Sequence, residues 1–225
     1  MPDNKTAWQA TVAAAKPNLL PGLALQAFAL TIVLSYYFNA SIHQLLEQLS
    51  VIKNHYGAWY SLFATPIFGA LIPWLYLRIN PHTRLQTPFS HLIFLILFWA
   101  WKGIEVEYFY RLQNFIFGSA PTLKSIGSKV IVDQFLYTPF YSAPITLILF
   151  YWKEKGFGWK VLAELNVVQF LRNQLPTALL ATWIIWIPAV AIIYSLPASL
   201  QIPLFNIVLC FFSLLYVTLT RKKQN

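Results

Sequence analysis

The chain has 225 residues, 58% of them hydrophobic and only 10% charged, with 18 Phe, 12 Tyr and 9 Trp. A water-soluble domain carries about 25% charged residues, so the composition excludes an ordinary soluble globule and calls for counting apolar runs against the thickness of a bilayer. The formal charge of +9 comes from basic residues that stand singly between apolar runs. That spacing excludes the basic patch of a nucleic-acid binder and fits the loop charges of a membrane protein.

Met1 to Lys16 has a small-residue patch from Ala10 to Ala15 and no Arg, unlike a secretory signal or an Arg-rich presequence. Residues 1–18 are therefore read as an N-terminal segment. Leu19 to Asn39 is the first run, long enough at about 1.5 Å per residue to cross a ~30 Å hydrocarbon core. Its stripe Ala24, Ala27, Thr31 and Ser35 is expected to pack against a neighbouring helix. A polar linker follows, in which His43 and Glu47 lie one turn apart and read as a solvated pair rather than a metal site.

The second run, Tyr56 to Leu77, contains Pro66, Gly69 and Pro73, which bend a membrane helix and free carbonyls that neighbours must satisfy. The loop 78–88 carries Arg78, His82 and Arg84. The third run, Ser90 to Phe117, embeds Lys102, Glu105 and Glu107 among Trp99, Trp101, Tyr108 and Tyr110. Lys102 and Glu105 are three apart and can neutralise each other on one face. Ionisable residues within a span are candidates for function.

The fourth run opens at Lys129, meets Asp133 and Gln134, and continues through Pro139 and Pro144 to Trp152. Lys129 lies one turn before Asp133 and can offset its charge. Asp133 is expected to face the third helix near Glu105, with Lys102 or Lys129 as its counter-ion. From Trp159 to Gln174 an apolar stripe alternates with Lys160, Glu164, Gln169 and Asn173, which predicts an amphipathic helix lying in the membrane interface. Pro176 then introduces the fifth run, Thr177 to Leu196, with Trp183, Trp186 and Pro188. The sixth run, Ile202 to Thr220, ends in Arg221, Lys222 and Lys223.

The fold expected is all-α: a polytopic membrane bundle of six transmembrane helices plus the interfacial helix. Its parts are an added first helix and linker (19–55), a membrane domain (56–220) and a basic tail (221–225). Eleven basic residues (Lys5, Lys16, Arg78, Arg84, Lys153, Lys155, Lys160, Arg172, Arg221, Lys222, Lys223) fall on the side of the termini, against four (Lys53, Arg111, Lys124, Lys129) on the other. That bias places both termini on the cytoplasmic or equivalent side.

Enzyme signatures are lacking: there is no nucleophile–His–acid set in a recognisable local context, no phosphate loop and no His/Cys cluster at metal spacing. Neither catalysis, metal nor cofactor is expected, and the lone Cys210 offers no intrachain disulfide. Polar groups converging from adjacent helices instead suit a hydrated path. The candidate polar network is Lys102, Glu105, Glu107, Lys129, Asp133 and Gln134. The candidate helix-shaping residues are Pro139, Pro144, Trp183, Trp186 and Pro188.

Lys129, Asp133-Gln134 and Pro139, followed by Leu175-Pro176, Leu179, Trp183, Trp186, Tyr194 and Pro197, resemble the Mpv/PMP family of peroxisomal and inner-mitochondrial membrane proteins. Phe109, Leu112, Phe115 and Gly118 resemble the residues that precede its Asp-Gln helix. Departures are Ile187 where the family has Pro, Thr182 for its Asn, Gln201 for its Arg, and Ser213 near its final Trp. The resemblance implies a small multi-helix protein proposed to form a pore for small solutes. The partners expected are membrane lipids and a small solute, a homo-oligomer is compatible, and nucleic acid is not expected. A bacterial inner membrane fits the missing presequence, and an organelle membrane fits the resemblance.

Overall fold

A computed structural model describes residues 19–79 and 88–221, and every regular element among them is helical. The N-terminal segment, most of the loop containing His82 and Arg84, and Lys222 and Lys223 of the tail lie outside the described residues. Helix α1 (Leu19–Phe38) meets α2 (Ala40–Tyr56) at an angle of 101°. Asn39 makes the corner by capping α2, its side chain accepting a hydrogen bond from Ile42 N at 3.1 Å. Gly57, at φ +55°, then turns the chain into α3 (Ala58–Ile79).

Helix α3 carries a π-helical turn, Ile67–Leu71, between Pro66 and Pro73. Helix α4 (Phe89–Phe117) packs along it more extensively than any other pair of elements. Their closest approach is at Gly103, where a Cβ would stand 2.4 Å from the Ser61 carbonyl oxygen. Small residues let membrane helices come this close.

Next come α5 (Leu123–Val132), a ten-residue π-helical segment Asp133–Ser142, and α6 (Ala143–Glu154) in one continuous rod. The wide π turn opens around Pro139, whose ring would otherwise collide with a carbonyl one turn back. Pro144 follows directly on the π segment within this rod and likewise has no N–H to give to the turn before it. A short α7 (Trp159–Ala163) precedes α8 (Val167–Tyr194), and α9 (Ala198–Arg221) ends the described chain.

The buried core joins α1, α4, α8 and α9, with Leu25, Ala29, Val33, Val106, Tyr110, Ile185, Val190, Ile193, Leu204 and Val208 at its centre. Outside it, large apolar side chains such as Leu20, Trp59, Phe63, Leu97 and Phe140 are exposed. So much exposed apolar surface is costly in water and suits hydrocarbon.

Several expectations require correction. The stripe Ala24, Ala27, Thr31 and Ser35 is not the packed face: Ala24, Ala27 and Thr31 are exposed. Leu25, Ala29, Val33 and Tyr36 are buried in its place: Leu25, Val33 and Tyr36 bring more apolar area to the contact with α8 and α9, and Gly22 and Ala29 on the same face let α8 come close. His43 and Glu47 do not pair with each other. Glu47 accepts from the Tyr36 hydroxyl at 2.7 Å, while His43 Nδ1 lies 3.1 Å from the Tyr36 carbonyl oxygen.

The amphipathic stretch Trp159 to Gln174 is not one helix. The chain breaks after Ala163 and restarts at Val167, where Asn166 caps α8 by accepting from Gln169 N at 3.0 Å. A local cap thus overrides the apolar period, and Pro176 lies inside α8 instead of starting it.

Six spans were expected, but among the described residues three helices, α3, α4 and α8, are long and apolar enough to cross a membrane, or four if the bent pair α1–α2 is one span. The fourth run falls short because Asp133, Gln134 and the Tyr, Thr, Ser and Pro residues after them dilute its hydropathy. The sixth qualifies only as a shorter apolar helix, Ala198–Leu214, over its described side chains.

Two prolines leave carbonyls that side chains from other helices take up. Pro188 has no N–H for the Ile184 carbonyl one turn back, and Gln26 Nε2 of α1 donates to that oxygen at 3.0 Å. In the π segment the bond spans five residues, so Pro139 leaves the Gln134 carbonyl open. Trp183 Nε1 of α8 donates to it at 2.8 Å. Trp183→Phe keeps an aromatic ring, though a smaller one, and removes the donor, and is expected to cost about 1–3 kcal/mol by orphaning that oxygen. A thermal melt of the purified variant checks this; an unchanged midpoint would deny the bond a stabilising role.

Candidate functional site

Two residues along a helix rotate the side chain by about 200°, so Glu105 and Glu107 leave α4 on opposite faces. The candidate network is consequently divided. On one face Lys102 donates to Glu105 Oε1 at 2.6 Å and to Ser142 Oγ at 2.9 Å, and Tyr137 donates its hydroxyl to the same glutamate. The ammonium also lies 5.2 to 5.8 Å from the ring centres of Trp101, Tyr137 and Tyr141. Aromatic faces of this kind help hold a cation out of water.

Glu107, only 1% exposed, lies on the other face. Its Oε1 accepts from Lys53 Nζ of α2 at 2.9 Å and from Arg111 Nε at 2.7 Å, and its Oε2 accepts from Ser61 Oγ of α3 at 2.9 Å. The carboxylate is thereby tied to three helices and carries two cations.

Asp133, 5% exposed, stands between these two groups at the head of the π segment. The Tyr194 hydroxyl of α8 donates to its Oδ2 at 2.6 Å, and Gln134 Nε2 donates to Oδ1 at 2.9 Å. Gln113 Nε2 of α4 in turn donates to the Tyr194 oxygen at 2.7 Å, and Tyr110 packs on Tyr194 with ring centres 4.9 Å apart. Asp133 is buried with its bonds to Tyr194 of α8 and to Gln134, whereas the sequence predicts that it faces α4 near Glu105. Nor is it ion-paired: among the described residues no cation lies within salt-bridge distance, and Lys102 acts on it only from further away.

Lys129 turns away from Asp133 to donate to Asn114 Oδ1 at 2.6 Å, 5.8 Å from the centre of the Tyr194 ring. At 1% exposed it is a buried ammonium with no carboxylate partner among the described residues. Several acceptor oxygens along the same region, Glu105 Oε2, Gln113 Oε1 and Gln134 Oε1, are buried without a donor among the described residues. Such open acceptors are uncommon in a closed polar network.

Of the helix-shaping candidates, Trp183 bonds the π segment, while Trp186 packs on Phe205 and Phe212 at 5.7 and 5.9 Å. Lys53, Ser61, Arg111, Gln113, Asn114, Tyr137 and Ser142 escaped the sequence reading as members of the networks. Arg111 had a readable signal, since it follows Glu107 by four residues. Lys53 and Asn114 had none, because their partners are distant in sequence.

Between α2, α4 and the first turn of α9 lies a pocket of about 100 Å³ lined by Lys53, Asn54, Glu107, Arg111, Asn114 and Ser199, among others. Among the described residues, no group of three or more His, Cys, Asp and Glu side chains is arranged to hold a metal ion. Compared with protein-family models, curated proteins and solved structures, the chain has no match.

Proposed function

We propose that the chain is a multi-pass membrane protein that passes small hydrophilic solutes along a polar path between α4, the π segment and α8. The observation that carries this reading is Asp133. It is a buried carboxylate without an ion-pair partner, placed where a rare ten-residue π segment begins. π-Helical turns occur disproportionately at functional sites, and an unpaired acid within a membrane domain is by default functional. The open acceptors of Glu105, Gln113 and Gln134 around it offer the lining that a hydrated solute needs.

In this reading α1, the rod α5–α6 and α9 complete six crossings, both termini lie on the more basic side, and α7 rests at the interface. Membrane lipids surround the bundle, copies of the chain can associate, and no catalysis is involved. The resemblance of Lys129 to Pro139 and of the Trp183–Trp186 region to the Mpv/PMP family accords with it, as does a bacterial inner or organelle membrane as its site.

A second reading, a non-conducting structural protein, is favoured by the mutual neutralisation of Lys102 with Glu105 and of Lys53 and Arg111 with Glu107. Polar contacts between membrane helices average only about 0.6 kcal/mol, which is a small return for burying so many charges, and this weighs toward transport. Purified protein reconstituted in a planar bilayer separates the two. We expect current from the native chain and an altered conductance in Asp133→Asn and in Glu105→Gln. No current, or the same current in both variants, would leave the structural reading standing.

A further inference from the structure

We propose that the pocket between α2, α4 and the first turn of α9 binds a phosphate group. Two cations line it around one carboxylate, Glu107. Lys53 and Arg111 line it directly, and Lys129 stands behind Asn114, which also lines it. Against Glu107 the lining cations leave one positive charge in excess, and Lys129, one contact further back, adds a second.

Three of the acceptor sites of Glu107 are already taken by Lys53, Arg111 and Ser61, which limits its opposition to an incoming anion. The groups left facing the pocket are donors. Arg111 commits Nε to Glu107 and retains its terminal nitrogens, whose planar fork matches phosphate oxygens. Asn114 spends its oxygen on Lys129, so its NH2 remains to donate. Ala198 and Ser199 bring the first turn of α9, whose backbone N–H groups and dipole favour negative charge.

The buried Lys129 supplies an independent reason. An ammonium that is 1% exposed, with one neutral acceptor and a ring face, is far from compensated. An anion held beside Asn114 would compensate it. The pocket volume of about 100 Å³ leaves room for one tetrahedral oxyanion. Arg111 is half exposed and marks the entrance. The phosphate can be free in solution or can be the headgroup of a phospholipid whose tails stay outside. The inference does not depend on conduction.

The test is thermal unfolding of the full chain in phosphate-free detergent, with inorganic phosphate, short-chain dihexanoyl phosphatidic acid, or chloride at matched ionic strength. A ligand that binds only the folded state raises the midpoint in a saturable way. We expect such a rise with phosphate or phosphatidic acid and not with chloride. A response to inorganic phosphate identifies a site open to the free ion, and a response to phosphatidic acid alone identifies a headgroup site. Arg111→Gln, at a half-exposed position, should raise the half-saturating concentration by about tenfold or more, as expected for losing a charge-assisted bond, and Lys129→Gln, which removes a charge one contact away, should raise it by less. If Lys129→Gln fails to fold, Arg111→Gln still decides. No rise above chloride with either probe, or an undiminished response in Arg111→Gln, overturns the proposal. Asp133→Asn lies outside the pocket and should keep the phosphate response, so a failure of the conduction reading and a failure of this one are told apart.

Discussion

Gly103→Leu should abolish the folded state or lower its melting midpoint by about 10 °C or more, because overpacking at a tight contact costs about 1–3 kcal/mol and more when backbone must move. The atom in the way is the Ser61 carbonyl oxygen, 2.4 Å from where a Cβ would stand, with the Thr65 side chain at 2.7 Å. Neither can swing aside as the tip of a long side chain could, so α3 and α4 must separate. Separation would also pull Ser61 off Glu107. Gly127→Leu is the matching control, since a Cβ there meets nothing within 4 Å. Size-exclusion profiles and thermal melts of both variants in detergent check the expectation. Equal stability of the two would mean that the helices are not held at this distance.

Glu107→Leu should be nearly as damaging, at about 3–5 kcal/mol, because removing one partner of a buried ion pair strands the other. Lys53 would be left 8% exposed with no acid beside it. The double variant Lys53→Met with Glu107→Leu should recover most of that loss, since apolar replacement of a whole buried pair is often neutral or stabilising. A double-mutant cycle on melting midpoints measures this. If the double variant is as unstable as Glu107→Leu alone, the damage comes from packing rather than from a stranded charge.

Where the sequence was informative, the signals were periodic or local. Each apolar run became a helix because length and apolarity are properties of contiguous residues, and Lys102 with Glu105 was readable from a spacing of three. The division of the acids is local as well, since a spacing of two on a helix sets Glu105 and Glu107 about 200° apart. Asp133 illustrates what was not readable. Lys129 precedes it by one turn, yet it rotates to Asn114 while Tyr194, 61 residues away, takes the carboxylate. Such choices depend on how α4, α5 and α8 are set side by side, which no local pattern encodes. The break at Asn166 shows the opposite case, in which a single capping side chain outweighed a regular apolar stripe.

The cross-helix capping of the proline-freed carbonyls bears on how the chain is made. Synthesis delivers the Gln134 carbonyl 49 residues before the indole that covers it, whereas the Ile184 carbonyl emerges 158 residues after Gln26. The first oxygen must therefore find another partner until α8 has been made. The second has its donor already present in the chain, so α1 is available to α8 from the moment α8 is made. A chain shortened from its N-terminus past Gln26 would release α8 with a bare carbonyl at the level of Pro188, and it is at that step that quality control would meet it.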